Sequence, residues 1–249
     1  MTVDPSQRLL DIKGLASGYA GVAVVRDLDL HVDAGEVVAL LGPNGAGKTT
    51  TLLTTSGLLK VLEGSVDVLG EPTTFGAPHR TARRGLAHVP EDRSLFFGLT
   101  VQENLKLGLR GNRAEQAAGY EEALELLPAL RPLMGRRAGL LSGGEQQMLA
   151  MARALVGKPK LLLVDEMSLG LAPIIVERLL PIVRDIADRT GAGVLIVEQH
   201  VHLALEVADR AYVMSHGEIV LEGSAAELME RQDLLEASYL GGDIAEEHA

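Results

Sequence analysis

The chain has 249 residues, 47% of them hydrophobic and 23% charged, a balance that is typical of a folded globular protein and excludes a disordered one. Its 34 acidic side chains outnumber its 23 lysines and arginines. The resulting net charge of −11 argues against nucleic acid as a partner, because such binding depends on neutralising phosphates. The absence of cysteine excludes disulfides and thiolate metal sites and is compatible with a reducing compartment.

The N-terminal part of the chain predicts a small sheet. The opening residues, MTVDPSQRLL, carry neither a basic region nor a long apolar run, so no signal peptide is predicted. Short β-branched segments at 9–13, 22–25 and 28–32 predict strands. Tyr19 lies among them in a Gly-Tyr-Ala-Gly stretch that we expect to be a loop. Its position is equally compatible with two roles. The ring is either a flat platform on which a nucleobase stacks or an exposed side chain in a loop.

The densest signal in the sequence lies at 37–59, where the apolar run VVALLG precedes PNGAGKTT and the helix-like TLLTTSGLL. This stretch matches the phosphate-loop pattern G-x-x-x-x-G-K-[ST] between a strand and a helix that opens at Lys48. Its glycines allow backbone amides to turn around phosphate oxygens at a helix N-terminus. Lys48 is predicted to reach the β- and γ-phosphates, and the Thr49 hydroxyl to bind Mg²⁺. Because Lys48 and several glycines interrupt the stretch, no membrane span is predicted, and any membrane association would go through a partner.

The middle of the chain predicts a helical region inserted into an α/β core. Thr100 and Glu103 have the spacing of a capping box, which predicts a helix beginning there. We therefore expect a helical subdomain at 100–157, inserted into a core formed by 1–99 and 158–249. The other elements predicted here are a strand ending at Gly70, a basic helix at 78–84, a brief strand from 87, and helices at 114–127 and 145–156.

Two further motifs carry candidate chemistry. Ser142-Gly143-Gly144 precedes a helix, and on its own this pattern indicates an ordinary serine N-cap. The serine hydroxyl and the backbone amides of the two glycines can also bind a phosphate at a helix N-terminus. LLLVDE at 161–166 predicts a buried strand that ends in two acids, where open α/β sheets place their ligand chemistry. Asp165 is predicted to hold Mg²⁺, and Glu166 to polarise the attacking water.

The last part of the chain predicts further alternation of helix and strand. We expect a helix at 173–189, a buried strand at 193–199, a hairpin at 212–223 around Gly217, a terminal helix pair at 224–240 and a frayed acidic tail. His200 follows the second of these elements. It would be the imidazole that lies at a strand end on the same side of the sheet as Glu166.

Together these motifs resemble those of the ATP-binding subunits of ABC transporters, over nearly the whole chain. GPNGAGKTT is similar to their Walker A motif, LSGGEQQ to their signature, LLLVDE to their Walker B motif and SLGLAP to their D-loop. His200 stands at the position of their switch histidine, and Tyr19 at the position that stacks on adenine. The resemblance implies an α/β fold, with a P-loop NTPase core of ABC type, an N-terminal antiparallel β subdomain and an inserted helical subdomain.

The resemblance also implies an ATPase that uses ATP and Mg²⁺ in a head-to-tail dimer, with ATP held between Walker A of one subunit and Ser142 of the other. The nucleotide-binding residues it implies are Tyr19, Gly42, Asn44, Gly45, Gly47, Lys48, Thr49, Thr50, Ser142, Gly143 and Gly144. The catalytic residues it implies are Glu166, His200 and Lys48, and the metal-binding residues are Thr49, Asp165 and Glu91.

Two residues depart from the family pattern, since Glu91 and Glu145 stand where glutamine is usual. The stretch VPEDRSLFFGLTVQENL is nevertheless similar to the second ATPase subunit of branched-chain amino-acid importers, which carries that first glutamate. The resemblance thus implies an importer subunit on the inner face of the cell membrane. Its partners would be permease subunits, a like or unlike second ATPase and, indirectly, a solute-binding protein.

Other function classes fit the sequence less well. An ABC ATPase for another cargo, such as an amide, urea or a lipid, stays open because cargo contacts belong to other chains. Non-transport ABC proteins of repair or translation usually carry a long coiled-coil insert or two cassettes, and neither is present here. A small GTPase or kinase would lack the signature motif.

Overall fold

The computed structural model describes residues 8–231, 233 and 235. The strands are β1 (Arg8–Tyr19), β2 (Val22–Asp33), β3 (Val37–Leu41), β4 (Val61–Val68), β5 (Glu71–Pro72), β6 (Leu86–Val89), β7 (Leu161–Asp165), β8 (Gly193–Glu198), β9 (Arg210–Ser215) and β10 (Glu218–Ser224). The α-helices are α1 (Lys48–Thr55), α2 (Pro78–Arg84), α3 (Val101–Gly108), α4 (Arg113–Leu126), α5 (Gly143–Leu155), α6 (Pro173–Thr190), α7 (Val201–Val207) and α8 (Ala225–Glu230). The predicted acidic tail, and most of the second helix of the predicted terminal pair, lie outside the described residues.

The central sheet has six strands in the order β10-β9-β3-β8-β7-β6, and β10 alone pairs antiparallel with its neighbour. Every residue of β3, β7 and β8 is buried, as expected for strands covered on both faces. Successive side chains of β3 alternate between two cores, since Val37 joins the core shared with the helices and Val38 the core shared with the small sheet.

The small sheet is antiparallel, in the order β2-β1-β4-β5. Its strands β1 and β2 are 12 residues each, so the prediction of three short strands was wrong. Irregular pairing absorbs the glycines that we took for strand breaks: the register shifts on either side of Leu15, and Gly14 has a φ of 54°. Tyr19 is consequently the last residue of β1 and not a loop residue, and half of its surface is exposed.

The helices α3, α4 and α5 follow one another between β6 and β7, where a helical insert was predicted. The capping box at the start of α3 is confirmed: the Thr100 hydroxyl accepts the Glu103 amide at 3.2 Å, and the Glu103 carboxylate accepts the Thr100 amide at 2.8 Å. The subdomain boundaries at 99/100 and 157/158 stay a prediction. Among the described residues, no helix is long and apolar enough to cross a membrane.

The topology of the central sheet positions the candidate site. Because β3, β6, β7 and β8 run parallel, their carboxyl ends meet at one edge of the sheet. The phosphate loop follows β3, Glu91 follows β6, Glu166 follows β7 and His200 follows β8. Residues far apart in sequence therefore share one edge.

Candidate active site

The phosphate loop joins the buried strand β3 to α1, and two of its glycines are required by the close approach of β9. Gly42 has a φ of 150°, and a Cβ there would collide with the backbone oxygen of Met214. Gly47 has a φ of 110°, and its Cβ would press on the Met214 side chain. No described side chain caps α1 at Gly47, so the amides of its first turn are available to an anion.

Lys48 lies at the floor of this loop, with 3% of its surface exposed. Its ammonium group donates hydrogen bonds to the carbonyl oxygens of Gly42, at 2.8 Å, and Pro43, at 3.0 Å. The same Nζ lies 3.5 Å from Oε1 of Glu166. The charge of Lys48 is therefore held between the phosphate loop and the end of β7.

Thr49 and Asp165 bring two hard oxygen ligands together. The Thr49 hydroxyl donates to Oδ1 of Asp165 at 3.4 Å. Burial raises the pKa of Asp165 to about 6; the Thr49 hydrogen bond opposes this shift, and the nearby charges of Glu166 and Glu91 add to it. A cation would relieve this crowding of carboxylates, and oxygen ligands suit Mg²⁺.

These residues alone do not enclose a metal. No group of three or more His, Asp or Glu side chains within the described residues has the arrangement of a metal site. Phosphate oxygens and water would complete the shell, as is usual for Mg²⁺ beside a nucleotide. The residues present thus fit a magnesium ion that enters with its nucleotide.

Glu166 lies just beyond β7, which ends at Asp165 and not at Glu166 as predicted. Its backbone φ of 43° is left-handed and ends the strand, and its amide donates to the Val197 carbonyl at 3.0 Å. The Glu166 side chain accepts a hydrogen bond from Nε2 of Gln199 at 2.7 Å. Gln199 is not among the predicted site residues, although a polar residue at the end of a predicted buried strand was the available signal.

Three predicted site residues lie apart from this cluster. His200 is exposed at the N-cap of α7, Glu91 is exposed in the loop after β6, and Tyr19 ends β1. Within the described part of the chain, no hydrogen bond or ion pair joins their side chains to Lys48 or Glu166. The Glu91 charge does act on the pKa of Asp165. The roles of these three residues stay predictions, as do those of the exposed loop residue Asn44, its neighbour Gly45 and the buried Thr50.

The signature segment starts α5. Ser142 is an exposed N-cap, and its hydroxyl accepts the Glu145 amide at 3.4 Å. The Glu145 carboxylate accepts the Ser142 amide at 2.7 Å, and this hydrogen bond lowers the pKa of Glu145. A Cβ at Gly144 would press on Ile175, and one at Gly143 would lie close to Leu171. The two glycines thus allow α5 to approach the start of α6. Among the described residues, no hydrogen bond joins the Ser142 side chain to Lys48.

A phosphate loop after a buried parallel strand, with two carboxylates at the end of a neighbouring strand, defines a nucleotide-hydrolysing enzyme of the P-loop class. Residues 25–168 match the family model described as ABC transporter. The chain belongs to the ABC transporter family. It is an ATP-binding ATPase subunit of the kind that couples hydrolysis to transport together with membrane permease components.

Similar proteins match nearly the whole chain. The chain is 42% identical to the high-affinity branched-chain amino acid transport ATP-binding protein BraG of Pseudomonas aeruginosa, over 94% of this chain and 100% of BraG. It is 37% identical to the lipopolysaccharide export system ATP-binding protein LptB of Escherichia coli K12, over 94% of this chain and 98% of LptB. The solved ADP conformation of MJ1267, an ATP-binding cassette of an ABC transporter, superposes with a TM-score of 0.80 at 26% identity. That comparison covers 94% of this chain and 99% of MJ1267.

Proposed function

We propose that the chain is the ATP-hydrolysing subunit of an importer for branched-chain amino acids, held on the inner face of the cell membrane by its permease subunits. The observation that carries the ATPase part is the convergence of Lys48, Thr49, Asp165 and Glu166 at one sheet edge. The 42% identity to BraG along its full length supports the cargo. The 37% identity to LptB makes lipid export the second candidate.

Each residue of the cluster has a distinct task in this proposal. The loop amides and Lys48 bind the phosphates of ATP, and Thr49 and Asp165 hold Mg²⁺, which when bound neutralises charge on the phosphates. Glu166 accepts the proton of the attacking water, and Gln199 orients its carboxylate through the 2.7 Å hydrogen bond.

The residues outside the cluster complete the proposed site. His200 contacts the γ-phosphate, Tyr19 stacks on adenine, and Glu91 approaches the metal. The exposed Ser142 contacts the nucleotide that is bound to a second ATPase in a head-to-tail dimer. That second ATPase is either another copy of this chain or an unlike ABC ATPase. Its exposure and the orientation of a helix N-terminus there support this assignment.

Replacing Ser142 with arginine tests the composite site. We expect ATP binding by the separate subunit to be unchanged, because Lys48 and the phosphate loop are untouched, and turnover to be lost because the bulky side chain blocks the second nucleotide. Fluorescent-nucleotide titration and phosphate release measure the two quantities. Loss of ATP binding in the separate subunit would contradict a role for Ser142 on the opposite nucleotide.

A cavity of about 810 Å³ between α2, β6, α3 and α5 supports a permease-binding surface. Exposed Phe96 and Leu107 lie on its wall. Its cationic lining residues are Arg83, Arg84, Arg110, Arg153, Lys158 and Lys160, against one acid, Glu115. Arg84 and Lys158 form ion pairs with Glu71 and Glu122. On a chain of net charge −11, the positive charge of the other four favours an acidic permease segment that also carries an apolar side chain.

Charge reversal on α2 tests that surface. Arg83→Glu should weaken the complex with the permease about 2- to 30-fold, since it removes one attraction and adds one repulsion at an exposed pair. Arg80→Glu is the matched control, because Arg80 is exposed on the same helix and does not line the cavity. Affinity is measured on permease in detergent at low and high salt. Equal effects of the two substitutions would contradict the proposed surface.

The cargo is tested by uptake in cells that lack this chain. Loss of leucine, isoleucine and valine uptake, restored by the wild-type chain and not by Glu166→Gln, is the result expected of an importer. Normal uptake accompanied by lipid accumulation at the inner membrane would favour the lipid exporter instead.

A further inference from the structure

The segment 90–95, here called the lid loop, begins the connection from β6 to α3 and holds a side chain that none of the motifs explains. We infer that Arg93 is a positioning residue that ties the lid loop to the signature helix α5 and to the segment that follows Glu166. The inference rests on the proposed function, because it concerns how the segment of Glu166 and the Ser142 that binds the opposite nucleotide move together.

The backbone of the lid loop is held in a tight and sparsely populated conformation. Arg93 and Ser94 have φ values of 63° and 44°, in the left-handed region that side chains other than glycine rarely adopt. The Arg93 amide donates to the Pro90 carbonyl at 2.9 Å, and Asp92 accepts hydrogen bonds from the Ser94 amide and hydroxyl at 3.0 and 2.7 Å. Such a turn persists when surrounding contacts fix it.

The Arg93 guanidinium provides those contacts through its fork of donors. Its Nε donates to Oε1 of Gln147 at 2.9 Å, and one terminal nitrogen donates to Oε1 of Gln146 at 3.1 Å. The other terminal nitrogen lies 3.5 Å from the Leu169 carbonyl oxygen. Within the described residues no acid forms an ion pair with Arg93. Its partners are uncharged oxygens, so the geometry of the fork matters more than the charge.

A second arginine makes the same connection from the other end of α5. Arg153, in the last turn of the helix, donates to the carbonyl oxygens of Ser94, at 2.7 Å, and Arg93, at 3.0 Å. The lid loop is thus attached to α5 at two points, one near each end of the helix. A displacement of the loop has to move the helix or break both attachments.

The contacts lead from Arg93 to both faces of the proposed site. The Gln146 amide nitrogen donates to the Leu141 carbonyl at 3.2 Å, directly before Ser142. Leu169 lies beyond Glu166, to whose carbonyl its amide donates at 3.2 Å. Arg93 therefore links Glu91 in the lid loop with the serine that reads the opposite nucleotide and with the segment of the general base.

The cavity with the cationic lining also adjoins this connection, since Ser94 and Arg153 are part of its wall. A permease segment in the cavity would therefore press on the attachment that Arg153 makes to the carbonyl oxygens of Ser94 and Arg93. The expected role of Arg93 is to transmit that movement to Ser142 while ATP binds at the phosphate loop of the same subunit.

The experiment compares Arg93→Ala and Arg93→Lys with the exposed control Arg113→Ala in the assembled transporter. We expect kcat to fall about 2- to 30-fold in both Arg93 variants, the range of coupling effects for residues that touch neither ligand. ATP affinity of the separate subunit should be unchanged. Lysine keeps the charge but cannot bridge two glutamines, so it should not restore kcat.

A double-mutant cycle with Gln147→Ala tests the contact itself, because Gln147 accepts from Nε of Arg93 at 2.9 Å. Once Arg93 is alanine, Gln147→Ala should lower kcat no further. If Arg93→Ala does not fold, Gln147→Ala alone should lower kcat and leave ATP affinity unchanged. Wild-type kcat in Arg93→Ala, full rescue by lysine, or weaker ATP binding by the separate subunit would each overturn the inference. Absence of hydrolysis by the wild-type transporter would instead overturn the proposed function.

Discussion

Replacing Glu166 with glutamine is expected to slow ATP hydrolysis by about 10²- to 10⁴-fold, the usual effect of removing a general base. Glutamine has the size of glutamate, and its amide oxygen still accepts the hydrogen bond that Gln199 donates at 2.7 Å. The proton acceptor is lost, while Lys48 and the loop amides are unchanged. ATP should therefore bind as in the wild type or more tightly.

The same substitution should trap the dimer. A nucleotide that binds the closed dimer and is not cleaved shifts the equilibrium towards it by mass action. Size-exclusion chromatography with ATP and Mg²⁺ should show a dimer with a second copy or with the partner ATPase, whereas the wild type should dimerise only transiently. Glu177→Gln, on the exposed face of α6, is the control and should behave as wild type. Wild-type turnover in Glu166→Gln would remove Glu166 from the role of base.

Replacing Lys48 with alanine is expected to lower kcat by about 10²- to 10³-fold or more and to weaken ATP binding, because it deletes a preorganised positive charge at the phosphates. Lys48 is 3% exposed and makes hydrogen bonds to Gly42 and Pro43, so its charge is already desolvated and fixed before the nucleotide arrives. The same charge has greater effect there than at an exposed site.

Phosphate release and nucleotide titration measure this loss, with Lys60→Ala as the control at an exposed position. A thermal melt without nucleotide separates lost binding from lost folding, since Glu166 also loses its neighbouring cation. Turnover and affinity that match those of Lys60→Ala would contradict the phosphate-loop assignment.

Much of the fold follows from the sequence because the decisive signals are local. The phosphate loop, the buried strands β3, β7 and β8 and the capping box of α3 are set by periodicity, glycine positions and short-range hydrogen bonds. The lengths of β1 and β2, by contrast, are not determined by local signals. Their irregular pairing depends on which partner residues the two strands meet, so the glycines inside β1 looked like strand ends.

The candidate site likewise has a part that the sequence predicts and a part that it does not. The sequence places Lys48, Thr49, Asp165 and Glu166 at a sheet edge through their motifs. It does not predict that Gln199 donates to Glu166, 33 positions away in the chain, or that Arg93 meets Gln147, 54 positions away. Such contacts depend on the relative placement of different elements, which no short pattern encodes.

The two departures from the family pattern have different explanations. At Glu145 the carboxylate accepts the Ser142 amide and completes the capping box, a task that a glutamine side chain also performs. The substitution therefore leaves the start of α5 intact. At Glu91 the acid adds negative charge beside Asp165, which makes a cation there more favourable.

The central claim, that hydrolysis at Glu166 drives inward transport, is tested most directly in proteoliposomes that contain the complete transporter and its solute-binding protein. Phosphate release and leucine uptake are followed together after ATP is supplied on the side of this subunit. The account predicts that leucine stimulates both and that Glu166→Gln abolishes both. Leucine uptake that continues at the wild-type rate in Glu166→Gln liposomes, or hydrolysis that never moves leucine inward, would contradict it.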